Sequence, residues 1–154
     1  MNDLFGYNCE IKRLLKQKIM SQQHPNLQLI NTFFKAYGNN NMEIIRQILA
    51  PDVEWVIPGR HPLSGTKIGI DEVLDYFKQL HVYSFQAQPI VIGVNDEYVV
   101  DCHLNWSNRE EGENIKRMSC LLWKFKNGKI SKVYNFPEDQ HLIDAFFNNN
   151  APVQ

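Results

Sequence analysis

Residues 121–136 read LLWKFKNGKISKVYNF, and the fold is decided by how this stretch is read. Apolar and polar side chains alternate on either side of Asn127-Gly128, as they do in strands with one buried face. Asn and Gly both tolerate positive φ, which the two central residues of a type I′ turn require. The spacing therefore predicts a tight hairpin between the strands Ile115 to Lys126 and Lys129 to Phe136. Working backward, Ser84 to Val94 and Glu97 to Ser107 alternate in the same way, with Asn95-Asp96 as their turn.

The half before this meander reads differently. Leu27, Ile30, Phe34 and Tyr37 recur at helical spacing after Pro25, a residue suited to a first helical turn. Gly38 and the three asparagines after it stop that helix. A second helix spans about Met42 to Leu49 and ends at Ala50-Pro51. Asp52 to Ile57 alternates as a strand and closes at Pro58-Gly59, and RHPLSGTKIG follows as a loop. A third helix covers about Ile70 to Leu80. A last one starts near Pro137 and carries Leu142, Ile143, Phe146 and Phe147 on one face. Helices, one strand and then an antiparallel meander make the class α+β.

The chain has 154 residues, enough for one domain whose core needs no metal or disulfide. With 16 Lys+Arg against 17 Asp+Glu it lacks the basic surface that grips a polyanion, so nucleic acid is not an expected partner. No apolar run reaches membrane-span length, so no membrane role is expected. Cys9, Cys102 and Cys120 show no metal-ligand spacing, so neither a metal nor a disulfide framework is expected, and a reducing cytoplasm fits them. Nothing calls for an organic cofactor. Residues 1 to 19 carry Lys12, Arg13, Lys16 and Lys18 against Asp3 and Glu10, leaving -3 of the total -1 for the remainder. The IKRLLKQKI stretch reads as a short basic helix, either an extension of the fold or residues lying ahead of a start at Met20.

Three strings carry a family resemblance: LINTFFKAYGNNNMEIIRQILAPDVEWVIPG, LSGTKIGIDEVLDYF and LLWKFKNGKISKVYNF. Together they resemble a SnoaL-like domain of the nuclear transport factor 2-like and ketosteroid isomerase-like group. The resemblance divides the chain into an extension (1–24), the SnoaL-like domain (25–148) and a tail (149–154). It implies a cone: a curved mixed or antiparallel sheet wrapped round three to four helices, with an apolar pocket at the open end. It also removes the usual chemistry. The general-base Asp of a ketosteroid isomerase falls on Ile57, its oxyanion Tyr on Phe33 and its second acid on Leu121. The acid/base Asp of SnoaL-type polyketide cyclases falls on Leu121 as well. None of these side chains can move a proton.

The same comparison, with strand parity, turns Val53, Trp55 and Ile57 toward the cavity, together with Val100, Cys102, Leu104 and Trp106. From the hairpin it adds Ser119, Leu121, Trp123, Phe125, Ser131, Val133 and Asn135. All three tryptophans then share one concave face. Asp101, His103 and Asn105 fall on the convex face, and Cys102 is separated from Cys120. Met118, Cys120 and Leu122 make the strand around them apolar on both sides, which predicts a homodimer through the convex sheet.

The expected pocket lining is thus Tyr37, Trp55, Ile57, Tyr76, Trp106, Ser119, Leu121, Trp123 and Asn135. His61 is the candidate proton carrier because imidazole titrates near neutrality. Arg60 could hold an anionic group. Two functions stay open. One is a pocket for a small hydrophobic molecule with isomerase-, cyclase- or hydrolase-type acid–base chemistry. The other is a non-catalytic binding or dimerisation module.

Overall fold

Pro25 opens α1 (Pro25–Gly38), and the His24 ring caps it, its Nδ1 accepting from the Asn26 backbone N–H at 3.2 Å. Asn40, at φ 52°, turns the chain, and Asn41 caps α2 (Met42–Ile48) through its side-chain oxygen. The computed structural model describes residues 11–15 and 24–150. Of the basic N-terminal helix, residues 11–15 are helical, with Ile11, Leu14 and Leu15 exposed. The rest of it, and residues 151–154, lie outside the described residues.

Six strands follow: β1 (Leu49–Ile57), β2 (Gly65–Ile68), β3 (Phe85–Val94), β4 (Tyr98–Ser107), β5 (Lys116–Lys126) and β6 (Lys129–Pro137). They form one sheet in the order β2-β1-β6-β5-β4-β3. All neighbours are antiparallel except β1 and β6, so the sheet is mixed. α3 (Ile70–Val82) crosses from β2 to β3, and α4 (Gln140–Asn149) follows β6. The curved sheet packs its concave face on the helices. The Asn127-Gly128 turn has φ of 52° and 70°, as a type I′ hairpin demands.

The core is aromatic. Trp123 is fully buried, its ring 5.3 Å from Trp55 at 86°, and Phe33 lies 4.9 Å from Trp123 and 5.6 Å from Trp55. Phe77 stands edge-on to Trp55 at 4.9 Å. Such pairs add about 0.5–1.5 kcal/mol each beyond their burial. Trp123 comes from β5, Trp55 from β1, Phe33 from α1 and Phe77 from α3, so the cluster joins helices to sheet.

Several expectations are corrected. The loop after β1 contains β2, which pairs with the outer edge of β1. The last helix starts at Gln140, because Pro137 still pairs with Ser119 and Asp139 caps the helix through Leu142 N–H at 3.1 Å. The largest correction is β4, whose faces are inverted. Val99 pairs with Trp123, Asp101 with Leu121 and His103 with Ser119, and directly paired residues share a face. Asp101 and His103 are therefore buried on the concave side, at 1% and 4% exposure, while Val100 is exposed. Cys102, Leu104 and Trp106 point to the convex side, so the three tryptophans do not share one surface.

The cysteines follow the same inversion. Cys102 and Cys120 are direct partners on the convex face. Opposed Cα atoms lie about 4.5–5.5 Å apart, within the span of a disulfide. Burial, and then the neighbouring Cys102, push the Cys120 thiol up. In a Cys9→Ser background, oxidised glutathione is expected to draw two hydrogens from this pair and join it, faster at alkaline pH. Intact-mass measurement reads this directly. Retention of both free thiols would refute the cross-strand placement.

Candidate functional site

The concave face and the helices enclose a partly open cavity of about 80 Å³. Its wall is mostly aromatic, from Phe33, Phe34, Trp55, Phe77, Phe85 and Phe147. An engineered apolar cavity that takes up benzene measures about 150 Å³, so the enclosed space here is smaller than one aromatic ring needs, and the cavity continues to an open side. Among the described residues, no group of three or more His, Cys, Asp or Glu is placed to hold a metal ion.

The sheet supplies one polar group. Asp101 Oδ1 lies 2.5 Å from His103 Nδ1, and Asp101 Oδ2 accepts from the indole N–H of Trp123. Asp101 thus sits behind His103, while His103 lines the cavity against Phe34, ring to ring at 5.8 Å. A carboxylate that accepts from Nδ1–H fixes the imidazole tautomer and leaves Nε2 as the nitrogen with a free lone pair. Beside His103, Asn105 Nδ2 donates to Ser119 Oγ at 2.9 Å, and both residues line the cavity.

The loop after β1 and α4 supply a second group. His61 Nδ1 accepts from the Leu63 backbone N–H at 3.2 Å, which puts the ring proton on Nε2. That Nε2 is buried without a partner, 4.0 Å from Asp144 Oδ1. Asp144 is itself held by the Arg60 backbone N–H at 3.0 Å and by Gln140 Nε2 at 2.8 Å. Its carboxyl lies below the ordinary range, since these donors outweigh its partial burial. Asn135 and Gln140 complete this wall. From the helices, Tyr37 donates to the Phe85 carbonyl at 3.3 Å, and Tyr76 lines the cavity. Burial raises both phenols, so each remains a hydroxyl donor.

Of the residues expected here, Tyr37, Trp55, Ile57, His61, Tyr76, Ser119, Leu121 and Asn135 all line the cavity. Trp123 lies behind the lining, bound to Asp101, and Trp106 is on the other face of the sheet. Arg60 is exposed. His103 and Asn105, expected on the convex face, line the cavity instead. The pairing register was the signal that finds them, because whatever faces Ser119 and Leu121 must share their surface. Phe33, Ile57 and Leu121, the three positions matched to proton-moving residues of the family, do line the cavity, as apolar side chains.

Burial lowers the His61 imidazole from its ordinary 6.5, with Asp144 opposing the shift in part, and burial lowers His81 too. A histidine depressed in the folded state takes up its proton more readily when unfolded. Stability from these two groups is thus complete above about pH 6.5 and is lost as pH falls through their folded values. The midpoint of urea unfolding is expected to decline from pH 7 to pH 5, less steeply in His61→Gln. An equally steep decline in that variant would remove His61 as a source.

The SnoaL-like domain family model matches residues 30–133. An uncharacterised Mycobacterium tuberculosis protein is 23% identical over 125 residues, 79% of this chain and 95% of that one. A nuclear transport factor 2-like protein of unknown function from Burkholderia pseudomallei superposes with a TM-score of 0.72 at 21% identity, covering 80% of this chain and 97% of its own. TerC, crystallised with polyporic acid, superposes at 0.70 and 18% identity, covering 82% and 99%. The family match covers most of the chain, and the cone of curved sheet and helices agrees with it: the protein is a member of the SnoaL-like domain family, on the nuclear transport factor 2-like fold.

Proposed function

We propose that the cavity binds a small, largely apolar molecule and that His103 moves a proton on it, held for that role by Asp101. The observation that carries this reading is a buried Asp101–His103 pair whose imidazole alone reaches an aromatic-walled cavity. Nδ1 is committed to the carboxylate, so Nε2 accepts a proton from the bound molecule and returns it elsewhere, the step common to isomerases and cyclases. Asn105 and Ser119 lie beside it and could hold a carbonyl oxygen while charge develops there. His61 is assigned a different role, because its Nε2 already carries the ring proton and is a donor. That TerC was crystallised with polyporic acid supports a ligand in a cavity of this fold.

The test uses 2-indanone as a generic ketone probe. Deuterium uptake beside its carbonyl, followed by NMR in heavy water, is expected to exceed the buffer rate. His103→Gln should cut the enzymatic excess by about 10²–10⁴, the usual worth of a positioned proton carrier. Asp101→Asn, which can present an N–H where the carboxylate accepted, should cut it while tryptophan fluorescence still reports binding. Exchange at the buffer rate despite binding would overturn the catalytic step and favour the binding-only reading, which the apolar Phe33, Ile57 and Leu121 support.

We further propose that two copies associate through the convex sheet face. Val91, Val100, Met118 and Phe136 are exposed there, around the half-buried Cys102 and Cys120. Free thiols at that position also suit a reducing cytoplasm. Light scattering at micromolar concentration is expected to give twice the chain mass, and Val100→Glu to halve it. A monomer mass for the unaltered chain sinks the dimer.

A further inference from the structure

We infer that His61, Asn135 and Gln140 form a binding site for a neutral hydroxyl group, so that the cavity selects an alcohol or phenol over a carboxylate. This rests on the reading of the cavity as a ligand site and adds what the ligand must carry. Three buried side-chain atoms lack a partner and belong to residues lining this one cavity: His61 Nε2, Asn135 Oδ1 and Gln140 Oε1. Buried polar atoms are rarely left unpaired, because each then loses water without compensation.

The roles of His61 and Gln140 are fixed by what their other atoms do. His61 Nδ1 accepts from Leu63 N–H, so Nε2–H is a donor. Gln140 Nε2 donates to Asp144 Oδ1 at 2.8 Å and to the Pro58 carbonyl at 3.3 Å, so the amide cannot flip and Oε1 stays an acceptor. The wall therefore offers one donor, His61, and one acceptor, Gln140, with the Asn135 amide free to present either. A hydroxyl, which accepts once and donates once, complements that set. A carboxylate could accept from His61, but it would then face the Gln140 carbonyl oxygen with the Asp144 carboxylate close behind. The nearby cation, Lys67, is engaged by the Ser64 carbonyl at 3.1 Å, and Arg60 is exposed.

The backbone is shaped around this arrangement. A Cβ at Gly59, which sits at φ +106°, would lie 2.1 Å from Gln140 Nε2 and 2.2 Å from Asp144 Oδ1. Glycine is what lets α4 bring both side chains against the loop that carries His61.

The experiment compares p-cresol, toluene and 4-methylbenzoate, matched in ring and methyl group, by ligand-observed NMR. p-Cresol is expected to bind about tenfold more tightly than toluene, as one net hydrogen bond allows. 4-Methylbenzoate should not bind measurably. In Asn135→Leu/Gln140→Leu the preference for p-cresol should disappear while toluene binding persists, which also shows that the variant is folded. Equal binding of p-cresol and toluene to the unaltered chain overturns the hydroxyl site and leaves the ligand cavity standing. Binding of 4-methylbenzoate at least as tight as p-cresol overturns it in favour of an anion site. Binding of none of the three overturns both.

Discussion

One buried carboxylate, Asp101, ties the packing of the molecule to its candidate chemistry. An unpaired charge in an apolar interior is strongly unfavourable, so a carboxylate at 1% exposure must have its oxygens occupied. Here one oxygen meets the Trp123 indole and the other the His103 ring. Trp123 is also the hub of the aromatic cluster with Phe33 and Trp55, on which α1, β1 and β5 converge. The position of the His103 ring is thus set by the rigid core and not by a loop. Removing either donor would leave the other contact to satisfy the carboxylate alone.

The cluster also decides where empty space can remain. Trp55, Trp123, Phe33 and Phe77 fill the space between the sheet and α1 and α3, and all but Trp123 also form part of the cavity wall, beside its polar residues. Those residues fall into two groups built from different elements. His103, Asn105 and Ser119 stand on β4 and β5. His61 and Gln140 belong to the loop after β1 and to α4, with Asn135 on β6. The two groups can therefore be altered separately, with Asp144 and Gly59 packed against only the second.

Much of this was legible in the chain. Asn127-Gly128 places the hairpin turn and its first pairs, Lys126 with Lys129 and Phe125 with Ile130, but a bulge beyond them shifts the register, and the facing of Ser119, Leu121, Trp123 and Asn135 follows from the family resemblance with strand parity. Tyr37, Trp55 and Tyr76 followed from helical and strand periodicity. β4 has a facing that is not legible in the sequence, for two physical reasons. Its connection to β5 runs from Asn108 to Ile115 with no tight turn to fix the register. Hydropathy then favoured the wrong face, because Val100, Cys102, Leu104 and Trp106 are apolar while Asp101, His103 and Asn105 are polar. The rule that apolar side chains point inward fails where polar groups satisfy one another inside, and the cavity is such a place. β2 escaped notice because four residues, mostly exposed, carry no alternation to read. The parallel β1–β6 pairing joins segments about eighty residues apart, beyond the reach of any local pattern.

The inversion of β4 changes what the missing carboxylates mean. Ile57 and Leu121 cannot take a proton, which by itself favours a cavity without chemistry. A bare carboxylate in an apolar pocket becomes a useful base near neutrality only when its surroundings raise it. The His103 imidazole, with Nδ1 held by a carboxylate, instead presents Nε2 toward the cavity. Asp101 provides alignment from behind the cavity wall, where it cannot itself touch a ligand. Carboxylate and imidazole are thus divided between support and contact, and the proton transfer proposed for His103 does not depend on an acid at Ile57 or Leu121.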